Sequence, residues 1–207
     1  MVTVEIVTTG TELLLGEILN TNGQYLAERL NAYGFNVFYQ TTVGDNRERL
    51  TAVLQQAMAR ADLVITTGGL GPTQGDITKE VTAEVLALPM HLNAEVMARI
   101  ENYFIFRGIC MTGNNKRQAM IPERAFILDN DNGTAPGIWL DHAAGVIVNL
   151  PGPPRELKMM FETKLLPRLL QHYGVQGVIH SRILRFVGIG ESILEEKIAD
   201  LIAKQGN

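Results

Sequence analysis

A single cysteine, Cys110, stands in the whole sequence, so no intrachain disulfide can form and stability must come from a packed core. Cys110 has no local partner residue and is expected to be chemically inert. Long apolar runs are also missing; none approaches the roughly 18 residues that a membrane span requires. The opening residues, Met1-Val2-Thr3-Val4-Glu5, lack the basic stretch of a secretory leader, so a cytoplasmic protein without a membrane partner is expected. Positive charge is short: 18 Lys and Arg against 22 Asp and Glu leave a net charge of −4. A broad electrostatic binder of nucleic acid would be basic, so no nucleic-acid partner is expected. Zinc spacing is absent, and His91, His142, His172 and His180 are scattered, so no nucleophilic triad is legible.

What is present is enough apolar material for a real core: 46% of 207 residues, the size of one large domain or of one domain plus a fragment. Glycine is abundant, at 20 residues, about a tenth of the chain against a usual share of about 7%. Several of these glycines sit at the ends of apolar runs, where a backbone approaches a ligand.

Short β-branched runs alternate with segments of helical period. The runs at 2–8, 35–43, 63–67, 125–129, 137–140 and 145–150 read as strands. Segments 47–61, 76–88 and 93–107 read as helices, as does the stretch that follows Asn20-Thr21-Asn22 and ends at Gly34. A long helix over 153–173 should kink or break at Pro167. Met58, Met97, Met159, Met160 and Trp139 read as core. This alternation indicates an α/β fold with a mostly parallel, doubly wound sheet. Residues 130–133 suggest a hairpin-like excursion, 174–177 a linker, and 178–187 with 191–203 a further strand and helix.

In such sheets the ligand sits beyond the carboxyl ends of the strands, so the loops that follow strands carry the chemistry. Thr66-Thr67-Gly68-Gly69-Leu70-Gly71-Pro72-Thr73-Gln74-Gly75-Asp76-Ile77-Thr78 follows a strand and opens a helix. Its glycines expose backbone N–H groups beside a helix N-terminus, an arrangement suited to phosphate. The spacing fits neither the dinucleotide nor the P-loop fingerprint. The alternative is a tight turn with Asp76 as a plain N-cap. Thr8 to Glu17, with Asn20-Thr21-Asn22, forms a strand-to-helix connection longer than the usual 2–6 residues, and Glu12 and Glu17 are its acids. Asp45, in Val43-Gly44-Asp45-Asn46, is either a cation ligand together with Asp76 or the N-cap of the next helix. Lys116 and Arg117 lie side by side among amides, which suits a phosphate-rich ligand or a solvated turn. Gly133-Thr134-Ala135-Pro136-Gly137 and Leu150-Pro151-Gly152-Pro153-Pro154-Arg155-Glu156 are rigid turns flanking strands.

Taken in this order, the segments resemble the N-terminal domain of the CinA family (competence/damage-inducible protein), which has a molybdopterin-binding, molybdenum-cofactor-biosynthesis-like fold. The resemblance rests on Thr9-Gly10-Thr11-Glu12-Leu13-Leu14-Leu15-Gly16, Asn20-Thr21-Asn22, Val43-Gly44-Asp45 and Thr67-Gly68-Gly69-Leu70-Gly71-Pro72-Thr73 with Asp76 and Thr78. It continues through Asn115-Lys116-Arg117-Gln118-Ala119, Pro122-Glu123, Gly133 to Gly137 and Leu150-Pro151-Gly152. Phe186-Val187-Gly188-Ile189-Gly190-Glu191-Ser192 is similar to the start of the family's next module.

The resemblance implies a three-layer α/β/α domain over 1–173, a linker at 174–177 and an incomplete second α+β module over 178–207. It implies metal-dependent hydrolysis of the pyrophosphate bond of ADP-ribose to AMP and ribose 5-phosphate, with Mg, Mn or Co as the divalent metal, and a homodimer. On that reading Gly68, Gly69 and Gly71 cradle the diphosphate. Asp45 and Asp76 hold the cation, and Lys116 stabilises developing charge. Glu12 and Asn22 are candidates for ribose or base contacts. Gly10, Thr67, Thr73, Thr78, Arg117, Gly133, Thr134, Pro151 and Gly152 complete the substrate-binding set. Gly75 departs from the family, which usually has an acid there, and one carboxylate fewer should weaken cation affinity. Two alternatives stand beside the hydrolase: a molybdopterin-binding or adenylyl-transferring protein of the same fold, and, because of Gly75, a non-catalytic nucleotide-binding module. The amidase activity that full-length relatives often carry is not part of what the resemblance implies for these residues.

Overall fold

The computed structural model describes residues 1–174 and 184–204. The β-branched run at the start becomes β1 (Thr3–Thr9), and one helical turn, α1 (Thr11–Leu14), interrupts the long connection to α2 (Thr21–Ala32). Asn20 caps α2 by accepting from Gly23 N–H at 2.9 Å. Gly34, at φ 79°, then turns the chain into β2 (Asn36–Val43). There follow α3 (Arg47–Arg60), β3 (Leu63–Thr67), α4 (Thr78–Val85), β4 (Met90–Leu92) and α5 (Ala94–Arg107). A 3-10 turn over Gly113–Ala119 leads into β5 (Met120–Pro122), β6 (Phe126–Leu128), β7 (Gly137–His142) and β8 (Gly145–Leu150). The chain then runs through α6 (Pro154–Met160) and α7 (Leu166–Tyr173), and residues 184–204 contain α8 (Glu191–Ile202).

The main sheet has the order β2-β1-β3-β8-β7-β6. β1 pairs in parallel with β2 and β3, and β3 with β8, while β7 pairs antiparallel with both β8 and β6. Its strands alternate between two cores. Val4, Ile6, Leu63, Ile65, Val148 and Leu150 face one layer with Leu26, Leu30, Leu157 and Phe161 of the helical segments. Val7, Val64 and Ile147 face the other with Leu50, Leu54 and Val81. The expected three-layer α/β/α fold is thus present, with helices on both faces of a mostly parallel sheet. One charge is fully buried in it: Glu5 is 0% exposed and is held by Arg60 through two hydrogen bonds of 2.8 Å and by Thr41 Oγ1 at 2.7 Å.

Several boundaries move for physical reasons. The helix expected over 76–88 is shorter because Asp76 bonds back to Thr73 and leaves Ile77 at the N-cap. Pro167 neither breaks nor ends its helix. A π-helical turn, Phe161–Leu165, precedes it, and the widened turn accommodates the missing N–H. Trp139 and Met160 are buried as expected, but Met159 is 45% exposed on α6. The hairpin-like excursion is real: β6 and β7 pair on either side of residues 129–136. The small β4–β5 ladder and the 3-10 turn were not legible. The expected linker at 174–177 and strand at 178–187 fall mostly outside the described residues. The expected last helix is α8, none of whose residues is buried.

Candidate functional site

The carboxyl ends of β1, β2, β3 and β8 open onto one cleft of about 610 Å³, within the range usual for small-molecule sites. The loop after β3 forms its floor. Gly68 and Gly69 have φ of 104° and 65°, conformations that favour glycine, and both pack against neighbouring chain. A Cβ on Gly68 would collide with the carbonyl of Thr9, and one on Gly69 would reach within 3.1 Å of Thr78 Cβ. The loop is anchored at both ends: Gly68 N–H donates to Leu150 O at 3.1 Å and Thr78 N–H to Gly69 O at 3.1 Å. Between these anchors, the N–H groups of Gly69, Leu70 and Gly71 make no hydrogen bond among the described residues. Three adjacent donors without a protein partner, on residues that line the cleft, suit an anion.

The two expected cation ligands both line this cleft. Asp76 is not an N-cap. Its Oδ2 accepts from Thr73 N–H at 2.9 Å and from Thr73 Oγ1 at 2.6 Å. Gly71 makes room for that carboxylate, since a Cβ there would lie 2.6 Å from Asp76 Oδ2. Asp45 is not the cap of α3 either; Asn46 takes that role. Asp45 Oδ2 instead accepts from Thr11 N–H and Thr11 Oγ1, each at 3.1 Å, and so closes the start of α1. In each aspartate Oδ1 has no hydrogen bond among the described residues. A Cβ on Gly75 would make only ordinary contacts, 3.8 Å from Thr73 Oγ1 and 4.0 Å from Asp45 Cβ. Among the described residues no group of three or more His, Cys, Asp or Glu side chains is arranged to hold a metal ion. Two carboxylates with a free oxygen each still suit a hydrated Mg²⁺, which keeps several waters and commonly binds through one or two carboxylates plus substrate phosphates.

The other predicted residues divide into those that face the cleft and those that brace it. Gly10, Glu12, Asn22, Thr67, Gly68, Gly69, Gly71, Thr73, Thr134, Pro151 and Gly152 lie on its wall. Asn22 Nδ2 donates to Thr67 Oγ1 at 3.0 Å and to Gly152 O at 2.7 Å, tying the β1–α2 connection to the ends of β3 and β8. Its Oδ1 is buried without a partner. Glu12 folds back over Gly10 and has no ion pair or side-chain hydrogen bond. Thr78, Lys116, Arg117 and Gly133 do not line the cleft. Thr78 is fully buried beneath Gly69, with its hydroxyl 3.3 Å from Thr9 Oγ1. Arg117 is a brace: its guanidinium donates to the carbonyls of Thr73 and Asp76 and pairs with Glu80 at 2.9 Å, fixing the turn that carries Asp76. Lys116 is exposed and makes no contact of this kind. Gly133 sits under the Glu156 carboxylate.

Three polar residues outside the expected set belong to this region. Gln118, 2% exposed, and Glu156 both line the cleft. Lys79, 3% exposed, donates to the carbonyls of Arg117 at 3.1 Å and Gln118 at 2.9 Å, and burial pulls its ammonium down to about 8. Burial likewise pushes the Glu156 carboxyl above its ordinary value, against the opposing effect of a hydrogen bond from Asn130. Glu156 had a usable signal, as an acid in the first turn of a helix that follows a strand. Lys79 had none, because a lysine next to Glu80 reads as surface.

Comparison with known proteins places the chain in a family. The family described as a probable molybdopterin binding domain matches residues 5–171. A CinA-like protein of Dictyoglomus thermophilum is 52% identical over 203 residues, 98% of this chain and 49% of that protein. A putative competence-damage inducible protein of Symbiobacterium thermophilum is 51% identical over 97% of this chain and 48% of its own length. The chain thus spans about half the length of the curated relatives it matches. Among solved structures, a CinA protein of unknown function from Thermoplasma acidophilum superposes with a TM-score of 0.74 at 27% identity, covering 80% of this chain and 96% of that one. The molybdopterin biosynthesis enzyme MoaB of Thermus thermophilus shares the fold, with a TM-score of 0.55 at 24% identity over 86% of this chain and 98% of that one.

Proposed function

The chain belongs to the probable molybdopterin binding domain family, in a CinA-like form, and from that premise we propose that its cleft binds ADP-ribose and hydrolyses the pyrophosphate bond with a divalent cation. The observation that carries this reading is the row of unbonded N–H groups at Gly69, Leu70 and Gly71 on the wall of a 610 Å³ cleft flanked by Asp45 and Asp76. The three N–H groups hold the diphosphate oxygens and are fixed in place before the ligand arrives, so stabilising charge there needs no reorganisation. Lys116, exposed and off the cleft, takes no part, and the backbone N–H groups stabilise the charge in its place. Asp45 and Asp76 would hold the cation, which when bound supplies charge neutralisation and Lewis acidity. Arg117 and the Thr73 hydroxyl keep the Asp76 carboxylate on the cleft wall. Water adds to one phosphorus as its bond to the bridging oxygen breaks, and the two halves leave as AMP and ribose 5-phosphate, with the released proton passing to solvent.

Incubation with ADP-ribose and Mg²⁺, Mn²⁺ or Co²⁺, followed by chromatography of the products, tests the proposal. AMP and ribose 5-phosphate in equal amounts are expected. Binding without AMP would reduce the site to a nucleotide-binding module, the reading that glycine in place of an acid at position 75 favours. Pterin retained through purification, or magnesium-dependent adenylylation of molybdopterin, would replace the hydrolase by the alternative that the family's description favours.

A further inference from the structure

The strand order sets the layout of the cleft. Asp45 follows β2, the glycine floor follows β3, and Glu156 follows β8, in the sheet order β2-β1-β3-β8. With strands about 4.8 Å apart, the β2 and β8 ends are separated by roughly 14 Å, and the N–H cradle lies between them. A ligand with a diphosphate in the middle therefore extends one arm to each end.

The β8 end has an excess of hydrogen-bond acceptors. Asn22 spends both donors on Thr67 and Gly152 and so offers none to the cleft. Glu156 accepts from Asn130 Nδ2 at 2.6 Å through Oε2 alone, and its Oε1 has no partner among the described residues. Asn130 is itself fixed by donating to Ala135 O at 2.9 Å. Glu156 also packs over Gly133, where any side chain would displace it. The carboxylate is thus held in one place with one oxygen free. An acceptor held on a cleft wall without a donor is costly, so such a wall suits a group that brings donors. A sugar hydroxyl brings a donor and no charge.

We propose that the β8 end of the cleft is a sugar-hydroxyl subsite, in which Glu156 Oε1 accepts from a hydroxyl of a pentose attached to the bound diphosphate. Asn130 is the positioning residue for Glu156. The inference rests on the diphosphate reading of the cleft and adds to it the group that the β8 end selects.

Calorimetry with Mg²⁺ and two non-hydrolysable probes separates the two levels. The probes are the α,β-methylene analogue of ADP-ribose and methylenediphosphonate, which has no sugar. Glu156→Gln, which puts a donor where the free acceptor was, should weaken the analogue about tenfold or more, as expected for a hydrogen bond to a charged group. It should leave methylenediphosphonate within twofold of the wild type. Asn130→Ala should weaken the analogue by a smaller factor, and the double variant should be no worse than Glu156→Gln alone. Unchanged affinity of Glu156→Gln for the analogue overturns the subsite while leaving the diphosphate cradle standing. An equal loss for both probes overturns it as well, since Glu156 would then be supporting the cleft as a whole. If neither probe binds the wild type, the diphosphate reading fails and the subsite with it.

Discussion

Gly71→Ala tests the reasoning about the cleft floor most sharply, because its effect should change sign with the residue beside it. The backbone at Gly71 is not in the left-handed region, so alanine fits the chain itself. The added methyl would lie 2.6 Å from Oδ2, 2.8 Å from Cγ and 2.9 Å from Oδ1 of Asp76. All three distances are too short, and the carboxylate has to swing away from Thr73 N–H and Thr73 Oγ1, now 2.9 and 2.6 Å from it. Two charge-assisted bonds at the weaker end of their range, about 1.5 kcal/mol each, are then lost. Alanine restricts the unfolded chain and returns about 0.7 kcal/mol, which leaves a net destabilisation of about 2 kcal/mol. In an Asp76→Ala background there is no carboxylate to displace, so the same substitution should stabilise by about 0.4–1 kcal/mol through the unfolded chain alone. Urea unfolding of the four proteins of this cycle gives the comparison. Equal destabilisation in both backgrounds would refute the claim that Gly71 exists to house Asp76.

Three further outcomes follow from the same geometry. Gly75→Asp has room for its side chain beside Asp45 and should tighten Mn²⁺ binding on the order of tenfold in calorimetry, because site charge sets cation affinity; no gain would argue against a cation between Asp45 and Asp76. Lys116→Ala should leave ADP-ribose turnover within twofold of the wild type. Arg117→Ala, which frees the Thr73–Asp76 turn, should lower turnover at least tenfold, and the reverse order would restore Lys116 to the site. Hydrogen bonds from Thr3 N–H and Oγ1 hold the Asp62 carboxyl below its ordinary value. A depressed carboxyl contributes stability that is present above its unfolded pKa and lost as the pH falls through its folded one. Wild type should therefore lose more stability than Asp62→Asn in urea unfolding as the pH is lowered from about 5 through the carboxylate range, and parallel losses would refute it.

Much of the architecture was legible because the sheet is buried on both faces. Runs such as Leu63–Thr67 and Gly145–Leu150 have no solvent-facing side to blur their ends, and both strands match their expected bounds. The glycine floor was legible for a related reason, since close approach of two backbones leaves no alternative residue. What the sequence withheld depends on direction. Arg117 and Lys116 are adjacent, yet one braces the Thr73–Asp76 turn and the other points to solvent, and only the 3-10 turn at Gly113–Ala119 separates them. Lys79 is buried because two carbonyls from that same turn meet it, a contact between segments far apart in the chain. Asp45 and Asp76 each allow two readings in sequence, cation ligand or helix cap, and only their bonds to Thr11 and Thr73, with other residues at the N-caps, exclude the cap.

The central claim is that the N–H groups of Gly69, Leu70 and Gly71 receive a diphosphate. Amide chemical shifts of isotope-labelled protein, followed during titration with ADP-ribose and Mg²⁺, test it directly. The largest downfield shifts should fall on those three amides, with that of Gly68, already bonded to Leu150 O, moving less. Saturable binding that leaves the amides of Gly69, Leu70 and Gly71 unmoved would contradict it.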